Sequence, residues 1–320
     1  MASPARLPPV TEGEPPSLTD RSATPAPTTT VSQRRLIEAH ASIVESRPDR
    51  ADFLHTVMCQ VGMPRSKTAS RTFERHSGHM SVLLEAGRLY DGSGWVDMPL
   101  PYGVIPRLVM VHVSTQAVRT RSRSVEVGDS MRQFLNALGM TTSGGERGGY
   151  TALRRQMEAL AACRLTLGMQ EEGRVVTVDA KPIKRFEAWL HTDGFQRSLW
   201  PGVIELSEDF FHTLSEHAVP LDHRALSALR HSAPARDIYT WLAHRLCRVR
   251  APTGTRLSWE NLREQFGQEY RSWRDFKKEF RHALRQVCLV YPDARVAEVI
   301  GGLILLPSLP PHPRSFVQMP

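Results

Sequence analysis

Six cations recur along one stretch of the chain: Arg271, Arg274, Lys277, Lys278, Arg281 and Arg285. Over the same stretch there are two carboxylates, Asp275 and Glu279, so the local net charge is +4, half of the formal +8 of the 320 residues. Ammonium and guanidinium groups spaced three and four residues apart suit one chemistry above others. They neutralise a row of phosphates, and a guanidinium fork matches the two acceptors on a guanine edge. At 3.6 residues per turn Arg274, Lys277, Lys278, Arg281 and Arg285 share a sector about 100° wide. Trp273, Phe276, Phe280, Ala283, Leu284 and Val287 fall on another face, in the pattern of a buried stripe. The ordinary reading of such cations is a solvated helix surface. The one-sided charge favours a polyanionic partner instead.

Catalytic patterns are missing. No G-x-x-x-x-G-K-[ST] occurs, and Thr142-Ser143-Gly144-Gly145 lacks the Lys-Ser/Thr that would complete a phosphate loop. There is no H-E-x-x-H or Cys-x-x-Cys for a metal. His112 has no histidine two residues away, so a nickase with a His-apolar-His motif and a nucleophilic Tyr is not supported. Glu171-Glu172 sits in an expected hairpin turn, a solvated position. His223, His231 and His244 share no ligand spacing. The sequence thus points to a binder with no catalytic residues, no metal and no cofactor.

The cationic helix needs elements to position it. Leu257–Trp259 reads as a short strand, Glu260–Phe266 as a helix, Gly267 as a turn, and Ser272 to about Cys288 as the long helix. Two β-like runs, Arg295–Ile300 and Leu303–Leu306, follow across Gly301-Gly302. Strand, helix, helix and hairpin are the parts of a winged helix, which would offer the basic face to a major groove and lay the hairpin beside the backbone.

The same order occurs earlier. SVEVG supplies a strand, Asp129 is expected to cap a helix carrying Phe134 and ending at Gly139, and a loop spans Thr141–Gly149. A helix is expected over Tyr150–Cys163, then strands over Arg164–Met169 and Arg174–Val178. Val125 and Val127 stand to Leu257 and Trp259, and Phe134 to Phe266, at one constant spacing. Leu153 and Met157 stand to Phe276 and Phe280 at a second spacing, shorter by the Thr141–Gly149 loop. In this first copy Arg147 lies at the helix entrance, and Thr151, Arg154 and Arg155 face away from the Leu153–Met157–Leu160 stripe. Arg119, Arg121 and Arg123 alternate just before it and read equally as phosphate contacts or a solvated turn.

The rest of the chain frames these units. The composition is 41% apolar, enough for a sizeable core, and the pI near 9.7 suits a polyanion. Residues 1–32 hold seven prolines with much Thr and Ser and are expected to be a disordered tail. Helices are expected over Gln33–Arg47 and Arg50–Val61, packing on the first unit or mediating self-association. Met80–Leu89 reads as β, and Leu100–Thr120 as a helix with Pro106 in its first turn, strand being the lesser alternative for Val109–Val113. Ile183–His191 and Val203–Leu206 read as strands, and Ser207 as the cap of a helix. LDHRALSALRHS and ARDIYTWLAHRLCRVR are expected helices, with Trp241, Leu242 and Leu246 as core. Cys59, Cys163, Cys247 and Cys288 read as reduced core thiols. No apolar run approaches a membrane span, and no secretory signal is visible, so a cytoplasmic protein is expected. The fold class is α+β: a tail (1–32), a first winged-helix domain with N-terminal helices (33–206) and a second winged-helix domain (207–320).

From about Arg65 to Leu309 the chain resembles the plasmid-encoded RepA replication initiators. The likeness rests on LPYGVIPRLVMVHVSTQAVRTRSR (Leu100–Arg123), GGYTALRRQMEALAAC (Gly148–Cys163), VPLDHRALSALRHSAPARDIYTWLAHRL (Val219–Leu246) and LSWENLREQFG (from Leu257) with its sequel. The resemblance implies a protein that binds repeated sequences (iterons) in double-stranded plasmid origin DNA, helps open the adjacent duplex and recruits the host initiator and replicative helicase. It also implies that some relatives repress their own promoter as homodimers. The DNA-binding set expected is Arg147, Thr151, Arg154, Arg155, Arg271, Ser272, Arg274, Lys277, Lys278, Arg281 and Arg285. A tandem winged-helix transcriptional repressor would use the same residues on a promoter.

Overall fold

A computed structural model describes residues 30–312, apart from 147, 172, 180, 182 and 185–201. The expected tail lies outside the described residues as far as residue 29. Thr30 already caps the first helix, α1 (Val31–Glu45), accepting the Gln33 N–H while the Gln33 side chain returns to the Thr30 N–H. Helix α1 packs on α7 (His223–Ala228) and on α10 (Trp273–Val290), and His40 Nδ1 meets the Leu289 carbonyl at 2.7 Å.

The helix expected over Arg50–Val61 is not formed. Ala51–His55 is a strand, β1, and only Thr56–Gln60 is helical, α2. β1 runs antiparallel to β10 (Ala218–Asp222), far along the chain, with His55 opposite Ala218. Both faces of β1 are largely covered, so its apolar run lacks the alternation that marks a half-exposed strand.

β2 (Thr72–Ser77), β3 (Met80–Glu85), β4 (Arg88–Tyr90) and β5 (Trp95–Asp97) follow, then α3 (Val104–Thr120), which holds Pro106 in its first turn as expected. β6 (Ser124–Glu126) leads to α4 (Met131–Ala137). Its cap is Ser130, whose hydroxyl accepts the Gln133 N–H; Asp129 is one residue too early for that role. α5 (Gly149–Ala162) and the hairpin β7 (Arg164–Glu171) and β8 (Arg174–Asp179) complete the first copy of the strand–helix–helix–hairpin order.

Its pairing departs from expectation. The hairpin joins β3, giving a four-stranded sheet in the order β2-β3-β7-β8, while β6 pairs with β9 (Val203–Glu205). Side chains explain the choice: Val82 and Leu84 of β3 lie opposite Leu167 and Leu165 of β7, and all four are buried. β6 has three residues, two of them exposed, and offers the hairpin little to cover. Of the strand expected over Ile183–His191, residues 183 and 184 are not in a strand, and the other described neighbours begin only at 202.

In the second copy the strand before the two helices pairs with the hairpin that follows them. After α6 (Glu208–His217), capped by Ser207, come α7 and α8 (Ala233–Arg245). Then β11 (Thr255–Ser258), α9 (Trp259–Phe266), α10, β12 (Val296–Val299) and β13 (Gly302–Leu305) form one module with the sheet order β11-β13-β12. Gly302 opens β13, so the turn is Ile300-Gly301, with Gly301 at φ 88°, a conformation most side chains disfavour. The turn between α9 and α10 needs Gly267 for a different reason. A Cβ there would stand 2.7 Å from the Phe276 ring.

One continuous apolar core runs from Leu36 to Leu305. Trp241, Leu242 and Leu246 belong to it as expected, and so do Cys59 and Cys163. Cys247 and Cys288 are exposed, against expectation: each lies on a helix edge, not on its inward stripe. Among the described residues no helix is long and apolar enough to cross a membrane, and no His, Cys, Asp or Glu cluster could hold a metal ion.

Candidate nucleic-acid interface

Helix α10 is built from its inner face outward. Phe276, Phe280, Ala283, Val287 and Val290 are buried, and the helix lies against α8. Trp259 of α9 meets Phe276 and Phe280 edge-on, with ring centroids 6.3 and 5.8 Å away, and Phe266 lies 5.6 Å from Phe280. This aromatic packing fixes the rotation of α10 about its axis. The Ser272 hydroxyl accepts the Asp275 N–H at 3.0 Å, and the Asp275 carboxylate suits the positive end of the helix.

That rotation turns the expected cations outward. Arg271, Arg274, Lys278 and Arg285 are exposed, and Lys277 and Arg281 are half-buried. Among the described residues no carboxylate pairs with Arg271, Arg274, Lys277, Lys278 or Arg285. Arg281 differs. Its Nε donates to both carboxylate oxygens of Glu298 on β12, at 2.9 and 3.1 Å, so the helix is tied to the hairpin. The Arg281 guanidinium also lies 5.1 Å from the Trp259 ring, and the Lys277 ammonium 5.4 Å from it.

Trp273 leaves the stripe in which the sequence places it. It is 39% exposed, with the Arg263 guanidinium 4.4 Å from its ring and Lys277 5.5 Å away. Its wheel angle is apolar, but it is the first residue of the helix, and cations, not the apolar core, lie over its ring. Sequence reasoning also missed Arg256, whose Nη2 donates to the Ile300 carbonyl and steadies the turn, and Ile300 itself, 94% exposed at the tip. A basic residue at a strand start and an apolar residue before a turn glycine were the available signals.

Glu269, in the turn before α10, is not a partner of Arg274. Its carboxylate accepts the backbone N–H of Arg65 at 2.7 Å and of Ser66 at 3.1 Å, and lies 3.4 Å from the buried Arg75 guanidinium. The Arg107–Asp237 pair adds a second bridge, with Nε to Oδ1 at 2.7 Å and Nη2 to Oδ2 at 2.6 Å, and joins α3 to α8.

The first copy presents a smaller set. Arg154 and Arg155 on α5 are exposed and without a carboxylate partner among the described residues. Burial raises the Glu158 pKa, and the charges of Arg154 and Arg155 only partly offset it. The Thr151 hydroxyl donates to the Gly145 carbonyl at 2.9 Å, and Arg147 lies outside the described residues. α5 packs on α3 and α4, whereas α10 packs on α8, α1 and α7, so separate helix clusters carry the two basic faces. The alternating Arg119, Arg121 and Arg123 have contacts within the fold. Arg119 donates to the Ala51 carbonyl and lies near Asp52, Arg123 pairs with Glu205, and Arg121 caps α3 at φ 50°.

Among solved structures the fold is similar to the crystal structure of domains 2 and 3 of RctB, with 11% sequence identity, a TM-score of 0.46, and coverage of 78% of this chain and 96% of that one. A likeness of that size places no residue. No curated protein matches. The model of one family, described as plasmid encoded RepA protein, matches residues 100–261, half of the chain. That span begins before α3, ends within α9, and takes in the Arg107–Asp237 bridge; the chain belongs to the family of plasmid-encoded RepA proteins.

Proposed function

We propose that this protein initiates plasmid replication by binding repeated sequences in the plasmid origin, using two winged-helix units and no catalytic step of its own. The second unit (207–320) lays α10 in a major groove with the β12–β13 hairpin as its wing. The first unit (33–206) adds Arg154 and Arg155, a smaller electrostatic share. The bound protein then promotes opening of the neighbouring duplex and recruits the host initiator and helicase in the bacterial cytoplasm. Self-association serves repression of its own promoter. Family membership supports the role. The observation that carries the DNA-binding part is the outward row Arg274, Lys277, Lys278 and Arg285 beside a hairpin that Arg281 ties to the same helix.

The test is affinity for DNA flanking the gene as a function of salt. Four unpaired cations on α10, each meeting one phosphate, give a slope of log K against log salt of about −4. Replacing Lys277 and Lys278 with Ala flattens it by roughly 2 and weakens all sequences alike. An unchanged slope removes α10 from the interface. A plasmid carrying the gene and its upstream repeats should replicate only when the protein is supplied. Binding to those repeats without replication would assign the protein to promoter repression instead.

A further inference from the structure

Away from the basic face of α10, a cavity of about 490 Å³ opens between β1, α3, the end of α4, α7 and the start of α8. That volume lies in the range of small-molecule sites, roughly 300–1,000 Å³. Four guanidinium groups line it, from Arg50, Arg119, Arg230 and Arg236, with the imidazoles of His112 and His223. Among the described residues the one carboxylate in the lining is that of Asp52.

The neighbouring carboxylates already have partners, some of them in the lining itself. Asp52 lies 3.7 Å from Arg119, Asp222 holds Arg224 at 2.7 Å, and Asp237 holds Arg107 at 2.6 Å. Asp49 sits 3.7 Å from His223. Among the described residues none pairs with Arg50, Arg230 or Arg236. Arg236 is the most telling, because it is only 3% exposed and, among the described residues, its side chain makes one hydrogen bond, from Nη1 to the Leu226 carbonyl at 2.8 Å. A guanidinium withdrawn from water without a counter-ion is costly. Burial pushes its pKa down to about 10, against the charges of Asp237 and Asp52, which stand near without pairing with it. Burial also lowers Arg230, with help from Arg35. Room for Arg230 is kept by Gly139, where a Cβ would stand 3.1 Å from Nη1 and where φ is 67°.

We propose that this cavity binds a small phosphate-bearing anion, which supplies the counter-ion that Arg230 and Arg236 lack. Guanidinium forks converging from several elements suit the several oxygens of a phosphate better than a single carboxylate. Inorganic phosphate and a nucleoside monophosphate share the chemistry. The site does not depend on the DNA-binding reading, since none of its residues lies on α10.

The full chain is titrated with inorganic phosphate, and separately with adenosine monophosphate, at constant ionic strength held with chloride. Melting temperature and calorimetric binding are followed. The melting temperature is expected to rise with ligand by mass action. Arg230→Gln, a partly exposed change, is expected to weaken binding by about tenfold or more, through loss of a charge-assisted contact. Arg236→Met removes the response without lowering the melting temperature of the ligand-free protein. A stronger response to the nucleotide assigns the nucleoside to the site, and an equal one assigns phosphate alone. Three results overturn the proposal: no response of the parent protein to either ligand, a response kept in full by Arg230→Gln, or a response lost in the Lys277 and Lys278 double variant, which would place the anion on α10.

Discussion

Arg274 and Arg285 carry the same group on the same face of α10, and their places along the axis separate the roles proposed for them. Arg274 is in the first turn, where side chains of a recognition helix enter the groove, and Arg285 is near the end, where they reach the backbone. Arg274→Ala is expected to cost about 1–3 kcal/mol at one base pair and relax preference there. Arg285→Ala should weaken cognate and random DNA by similar factors. Binding to all single-base variants of the site measures both, and a uniform loss for Arg274→Ala removes its readout role. His55 shows a second kind of residue effect. It is buried, caps α2 by accepting the Val57 N–H at 3.2 Å, and stacks 5.7 Å from the Phe210 ring. Burial, and then the neighbouring His217, push its pKa down from 6.5 to about 4. The unfolded chain therefore binds this proton more readily than the folded one. The stability due to neutral His55 is complete above pH 6.5 and is lost as the pH falls towards 4, by about 3 kcal/mol in all. His55→Asn, which retains a cap, should flatten that stretch of the denaturation-against-pH curve; an unaltered acid slope would assign the loss to other groups.

At the scale of elements, the turn before α10 is anchored by Glu269, whose carboxylate ends two backbone N–H groups and faces the buried Arg75. Glu269→Ala leaves that guanidinium without its partner and is expected to destabilise the fold by about 3 kcal/mol. Urea denaturation checks it, and a loss under 1 kcal/mol would mean that water takes over the carboxylate's role. Which elements were legible follows from the same physics. α10 could be read because Phe276, Phe280, Ala283 and Val287 repeat at helical period beside a caps-and-turn grammar of Ser272, Gly267 and Gly301. β1 could not, because Phe53, Leu54 and His55 are all covered, and a short covered run has no period to distinguish strand from helix. The pairing of β7 with β3 was also hidden, since partner choice depends on Val82 and Leu84, far from the hairpin in sequence. Of the candidate site, the cations and their face were legible, whereas the Arg281–Glu298 tie and the exposure of Trp273 needed the fold.

Over the whole molecule, the contacts that matter cross the middle of the chain. β1 pairs with β10, Arg107 with Asp237, and Arg75 with Glu269. A chain cut between Leu206 and Ser207 and expressed as two pieces is therefore expected to copurify as one complex and to melt in one transition. Two separate transitions, or pieces that part on a sizing column, would show that each half holds its own fold. The β1–β10 ladder also has a meaning in time. A ribosome releases the N-terminal half first, and His55 is made about 160 residues before Ala218, its partner in the ladder, which at about 5–20 residues per second is a delay of roughly 8–30 s. Until then the backbone groups that β1 turns toward β10 have no strand to pair with, although α3 can already pack on β1, and such edges recruit foreign strands. Nascent chains of this protein are thus expected to engage chaperones until β10 emerges, and to aggregate most when translation stalls between the two strands.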